Sequence, residues 1–137
     1  MGRGARCRVI VLDTHAWIWF RSDPDRLSPA ARAAIDGERA MLATISCWEL
    51  ATLVRLGRIA LDRDARAWVS HGLDAEPRVT AVPLDPEVAV AAGRLGETFP
   101  GDPADRIIYA TALSLGCQLV TKDRRLRAFA PDKTLWD

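Results

Sequence analysis

Hydrophobic positions fall into two patterns that take turns along the chain. Short unbroken aliphatic runs occur at Arg8 to Leu12 (RVIVL), Ala40 to Ile45 (AMLATI), Arg78 to Val82 and Gln118 to Thr121 (QLVT). Runs of this length, rich in β-branched residues, predict strands covered on both faces. Thr134 to Trp136 predicts a last edge strand. Longer segments between them carry helical spacing and punctuation. Asp13 to Phe20 continues the first strand into a helix. Ser28-Pro29 supplies an N-cap followed by proline at the first helical position, and Gly37 suits the end. Ser46 to Leu56 is stopped by Gly57, and Asp62 to Leu73 follows. Asp85-Pro86-Glu87 and Asp102-Pro103 repeat the cap-then-proline signature, opening helices through about Leu95 and Gly116, and Asp123 to Phe129 predicts a short helix. Strands alternating with helices predict a three-layer α/β/α sandwich around a central, mostly parallel sheet. With no repeat, low-complexity tract or linker in 137 residues, a single domain spanning 1–137 is expected.

Composition narrows the function classes. The chain is 49% hydrophobic and 27% charged. A domain of this length buries roughly two-thirds of its unfolded surface, so any metal would serve chemistry rather than folding. A formal net charge of +1 argues against a protein that holds nucleic acid by bulk charge alone. Arg3, Arg6 and Arg8 lead the chain and Lys122, Arg124, Arg125 and Arg127 crowd its end; the plain reading of such runs is a solvated face. Cys7, Cys47 and Cys117 show no C-x-x-C spacing and, with only His15 and His71 beside them, assemble neither a zinc finger nor a disulfide framework. Cys47 and Cys117, in apolar contexts, are expected to act as small core residues. No stretch approaches the ~20 apolar residues of a membrane span. The basic start MGRGARCRVIVL is too short in its apolar part for a signal peptide. A cytoplasmic protein without membrane contact is expected.

Acidic residues recur where these elements meet. Asp13 ends the first strand, Glu49 lies in the first turn after the second, Asp102 and Asp105 open a later helix, and Asp123 follows the fourth strand. Ligands of open parallel sheets bind at the carboxyl ends of strands. Each acid also has a structural reading. Ser46-x-x-Glu49 matches a capping box, Asp102-Pro-Ala-Asp105 a capped helix start, and Asp123 a strand exit. Asp13 interrupts an apolar run, where a buried charge is costly without a partner. Carboxylates converging in one cleft would have raised pKa values unless Mg²⁺ or Mn²⁺ neutralised them. There is no G-x-S-x-G elbow and no nearby Cys–His pair, so metal-activated water is the chemistry that remains.

Five ordered segments carry a family resemblance: VIVLDTHAWIW (9–19), SCWELA (46–51), LGRI (56–59), GDPADRIIYATAL (101–113) and LVTKD (119–123). Together they resemble the PIN-domain ribonucleases, and among them the VapC-like toxins of type II toxin–antitoxin pairs. The resemblance implies a PIN-like fold, a Mg²⁺- or Mn²⁺-dependent endoribonuclease acting on RNA, a homodimer, and a cognate antitoxin. Its acidic quartet falls on Asp13, Glu49, Asp105 and Asp123. Asp102 belongs to the D-P-x-D-R pattern of one branch, as a supporting acid or a cap. That branch usually carries a histidine where this chain has Pro100 and often a lysine where it has Leu53; neither departure removes a carboxylate.

Roles follow as expectations. Asp13, Glu49 and Asp105 ligate a principal metal and Asp123 helps hold a second. Thr14 and Thr121 either orient ligands or bond the backbone. Arg106 and Lys122 contact phosphate or pair with neighbouring acids. His15 is expected to pack or cap, and Trp17, Trp19 and Trp48 to pack in the core or an interface. An aspartyl phosphatase would need a second Asp where this chain has His15, and a receiver domain an Asp where its second strand runs into Ser46. The rival from another class is a catalytically silent PIN-fold module that binds RNA or protein.

Overall fold

The structure, a computed structural model, describes residues 8–137; Arg3, Arg6 and Cys7 lie outside the described residues. Five strands, β1 (Val9–Leu12), β2 (Arg39–Ala43), β3 (Val79–Val82), β4 (Gln118–Val120) and β5 (Thr134–Leu135), form one sheet in the order β3-β2-β1-β4-β5. Every pairing is parallel. Seven α-helices are described: α1 (Thr14–Ser22), α2 (Pro29–Gly37), α3 (Ile45–Arg55), α4 (Ala65–Ala75), α5 (Pro86–Arg94), α6 (Pro103–Leu115) and α7 (Arg124–Phe129).

Side chains that alternate along each strand divide the core in two. Ile10, Leu12, Ala40, Leu42 and Val120 face a core closed by Trp17 of α1, Ile35 of α2, Leu50 of α3 and Trp68 of α4. Val11, Ala43 and Leu119 face the opposite core, closed by Ile108, Tyr109 and Ala112 of α6 and Leu126 of α7. Helix α5 packs outside α6 through Val88 and Ala92. Helices on both faces of a fully parallel sheet make the expected three-layer α/β/α sandwich.

The chain runs outward from β1 to β2 to β3, then returns through α5 and α6 to place β4 on the other flank of β1. Strand order therefore reverses between β1 and β4, where Leu12 pairs with Val120. The crevice of such a sheet opens at this reversal, beyond the carboxyl ends of its strands. Asp13 and Asp123 follow those two strands.

Most helix starts obey their local signals. Ser28, Asp64, Asp85 and Asp102 each accept a backbone N–H from the first turn of their helix. Gly116 closes α6 at φ 68°, a left-handed cap that costs glycine nothing sterically. Two boundaries differ from expectation. The segment predicted from Asp62 begins as helix only at Ala65, because Asp64 takes the cap while Asp62 pairs with Arg63 at 3.1 Å. The second strand stops at Ala43, two residues before its predicted end, and Thr44 opens α3 directly with no side-chain cap. A short 3-10 turn at Pro24–Arg26 was not foreseen.

Candidate active site

Asp13, Glu49, Asp105 and Asp123, spread over more than a hundred residues of sequence, line one cleft of about 690 Å³. His15, Trp19, Lys122, Arg124 and Arg125 complete its wall.

Asp13 is the N-cap of α1, and its Oδ1 accepts the Thr14 N–H at 2.8 Å. Its Oδ2 accepts the Thr121 hydroxyl at 2.6 Å. Thr121 follows β4 directly, so the two strands at the sheet reversal are joined through this carboxylate. Burial nevertheless raises the Asp13 pKa, with the two hydrogen bonds and His15 opposing and Asp123 adding to the rise.

The one-residue advance of α3 decides what Glu49 does. Ser46 lies inside the helix rather than at its cap, so the expected Ser46–Glu49 capping box does not form. Thr14 Oγ1 stands 2.5 Å from Glu49 Oε1 and 2.8 Å from Ser46 Oγ. Thr14 has one hydroxyl proton, so donation to the charged acceptor leaves Ser46 to donate to Thr14. Thr14 and Ser46 are fully buried. Burial again raises the Glu49 pKa, against the Thr14 bond, and Asp13 and Asp102 add to the rise.

Asp105 has two attachments. The capping box read in the sequence is present: Asp102 Oδ1 accepts the Asp105 N–H at 2.9 Å, and Asp105 Oδ2 accepts the Asp102 N–H at 3.2 Å. The same carboxylate lines the cleft. Burial, then Asp13 and Asp102, raise its pKa to about 7. Gly101 sits against it: a Cβ there would lie 2.5 Å from Asp105 Cβ and 2.9 Å from its Oδ2. Asp123 caps α7, accepting the N–H groups of Arg125 and Leu126 on Oδ1 at 2.9 and 3.1 Å. Capping and lining the cleft are compatible in both cases, because a carboxylate has lone pairs to spare.

Two other expectations change. Arg106 does not line the cleft: its guanidinium donates to the carbonyls of Ala92, Leu95 and Gly96 at the end of α5 and lies over Phe99. Pointing outward from α6 toward α5, it meets neither an acid nor the candidate phosphate position. His15 neither packs in the core nor caps; it is exposed on the cleft wall, 5.6 Å from the Trp19 ring. Trp48 is 59% exposed, whereas Trp17 and Trp19 are buried as expected. Cys47 and Cys117 are half-buried against the two cores. Asp102 is exposed and serves the α6 cap.

The residues missed in the sequence are His15, Trp19, Arg124 and Arg125. Their signal was positional: each lies within a turn or two of Asp13 or Asp123, on a helix whose start faces the crevice.

The acidic groups lining the cleft are carboxylates, hard oxygen donors, and none of Asp13, Glu49 or Asp105 has an ion-pair partner among the described residues. Such a donor set fits Mg²⁺ or Mn²⁺ and suits a soft metal poorly. Among the described residues no three His, Cys, Asp or Glu side chains already converge on one point; carboxylates without a counter-charge repel one another.

Comparison with known proteins places this geometry. The family model described as PIN domain matches residues 10–131. The protein named Ribonuclease VapC22 of Mycobacterium tuberculosis (strain ATCC 25618 / H37Rv) is 42% identical over 131 residues, covering 93% of this chain and 98% of that protein. Among solved structures, a toxin-antitoxin complex from Klebsiella pneumoniae contains a similar chain, with TM-score 0.64, 17% identity and coverage of 92% and 95%. VapBC2 from Rickettsia felis, bound to a DNA fragment from their promoter, gives TM-score 0.66, 14% identity and coverage of 94% and 99%. These structural likenesses establish the fold. No described helix is long and apolar enough to cross a membrane.

Proposed function

The chain belongs to the PIN domain family, and from that membership and its acidic cleft we propose that it is a metal-dependent endoribonuclease, the toxin of a toxin–antitoxin pair. The observation that carries the reading is that Asp13, Glu49, Asp105 and Asp123 line one hollow, at the reversal of strand order. The ribonuclease relative supports RNA as the substrate.

Asp13, Glu49 and Asp105 would hold a Mg²⁺ or Mn²⁺ ion, and Asp123 would help hold a second. A divalent cation there supplies the positive charge against which water ionises near neutral pH and phosphate charge is neutralised. The chain's own residues set the geometry. Thr121 fixes one oxygen of Asp13 and Thr14 one oxygen of Glu49, so each carboxylate is oriented before an ion arrives. Asp105, whose pKa burial and its acidic neighbours raise to about 7, would supply its carboxylate to such an ion.

An antitoxin is the expected protein partner, supported by structural neighbours that are toxin–antitoxin complexes. A homodimer, and one domain over the whole chain, complete the proposal.

The decisive test incubates purified protein with RNA in Mg²⁺ or Mn²⁺, with EDTA, and with Asp13→Asn. The expected result is internal cleavage that EDTA and the substitution each abolish, with circular dichroism unchanged. RNA bound but never cut would assign the fold to a silent binding module instead.

A further inference from the structure

Of the three cations on the cleft wall, Arg125 pairs with Asp123 at 3.9 Å, whereas Lys122 and Arg124 pair with no acid among the described residues. Lys122 is exposed and lines the same hollow as four carboxylates, yet pairs with none of them within 4.0 Å among the described residues. Its ammonium lies over the Trp19 ring, 5.2 Å from the centroid. Its backbone is also held, because Arg127 Nη2 donates to the Lys122 carbonyl at 3.3 Å. Arg124, exposed on the same wall, has no ion pair among the described residues either.

This arrangement answers a difficulty in the proposed reaction. A phosphodiester strand approaching an acidic floor is repelled, and the chain's overall charge of +1 gives it no general attraction. Lys122, held over the Trp19 ring rather than on a carboxylate, and the unpaired Arg124 can attract phosphates while leaving the floor to the metal. We propose that Lys122, seated on Trp19 with Arg124 beside it, is a phosphate-binding subsite that grips single-stranded RNA next to the bond to be cut. The subsite rests on the endoribonuclease reading above. It assigns to substrate contact a basic run that would otherwise pass for a solvated face.

The test uses the full chain and a short fluorescein-labelled single-stranded RNA. Binding is measured by anisotropy in EDTA at several salt concentrations, and cleavage kinetics are measured separately in Mn²⁺. Lys122→Gln is expected to weaken binding about tenfold and to flatten the log–log salt slope by about 0.7, the loss of one phosphate contact on a single strand. In cleavage it raises KM while kcat holds. Lys122→Arg retains the contact. Lys133→Gln removes an equal charge just before β5, at the opposite end of the strands from Lys122, where its carbonyl bonds Leu119 within β4, and is expected to leave the slope unchanged. If Lys122→Gln matches Lys133→Gln, or lowers kcat at constant KM, the subsite is overturned. Because binding is read without turnover, the two readings fail separately. An intact salt-slope difference with no cleavage by wild type sinks the endoribonuclease, and cleavage with no slope difference sinks the subsite.

Discussion

Two threonines decide whether the acids of this protein can work as ligands. Thr121 is fully buried, donates to Asp13 and accepts the Asp123 N–H at 3.1 Å, so it ties the Asp13 carboxylate to the backbone of Asp123. The sequence left Thr14 and Thr121 open between orienting ligands and bonding the backbone. Their hydroxyls reach carboxylates because each stands one or two residues past the end of a parallel strand, a proximity invisible in residue spacing. Thr121→Val keeps the shape and removes the hydroxyl. It is expected to cost about 1–3 kcal/mol of stability by leaving polar groups unpaired, and about 10–100-fold in Mn²⁺ affinity and cleavage. Thr121→Ser should restore both. Metal titration and urea unfolding separate the effects; a variant that loses stability but binds Mn²⁺ normally would make Thr121 structural alone.

At the scale of elements, the start of α6 concentrates several demands in five residues. Asp102 caps, Pro103 fits the first helical position, and Asp105 must close the capping box while reaching the cleft. Gly101 makes this possible, since even a methyl group there would run into Asp105 and, at 2.8 Å, into Phe99. Gly101→Ala is therefore expected to displace the Asp105 carboxylate. Misplacement of about an ångström costs on the order of 10²-fold in rate, with helix content unchanged. Cleavage assays beside circular dichroism check this, and wild-type activity in that variant would show that Asp105 tolerates relocation. The glycine reads in the sequence as a loop residue before Asp-Pro; its close approach to a ligand does not. The start of α3 teaches the converse. A correct motif, Ser46-x-x-Glu49, suggested a capping box, but the strand ended early and turned both side chains toward Thr14.

Across the whole molecule, the two cores carry the fold and the cleft opposes it. Asp13, Glu49 and Asp105 all have raised pKa values, burial being the first cause of each. Asp105 ionises near pH 4 when unfolded but near 7 in the folded protein. Between those values the folded state binds more protons, so stability falls as pH rises from about 4 to about 7 and is lowest above that. In EDTA, Tm is expected to rise when pH is lowered from about 8 to about 6. At pH near 8, saturating Mn²⁺ at about 100 Kd should add roughly 2.7 kcal/mol, an increase that Asp13→Asn abolishes. Thermal melts at both pH values check the two arms; a Tm indifferent to Mn²⁺ would contradict a metal site. What the sequence determined was the alternation of elements, most of the helix caps and which four acids were candidates, since periodicity, proline, glycine and cap chemistry act over a few neighbouring residues. What only the tertiary structure decided was which hydroxyl holds which carboxylate, that Arg106 turns to α5, and that Lys122 rests on Trp19. Those contacts join residues far apart in the chain, and their partners are set by strand order and helix packing, which no local pattern encodes.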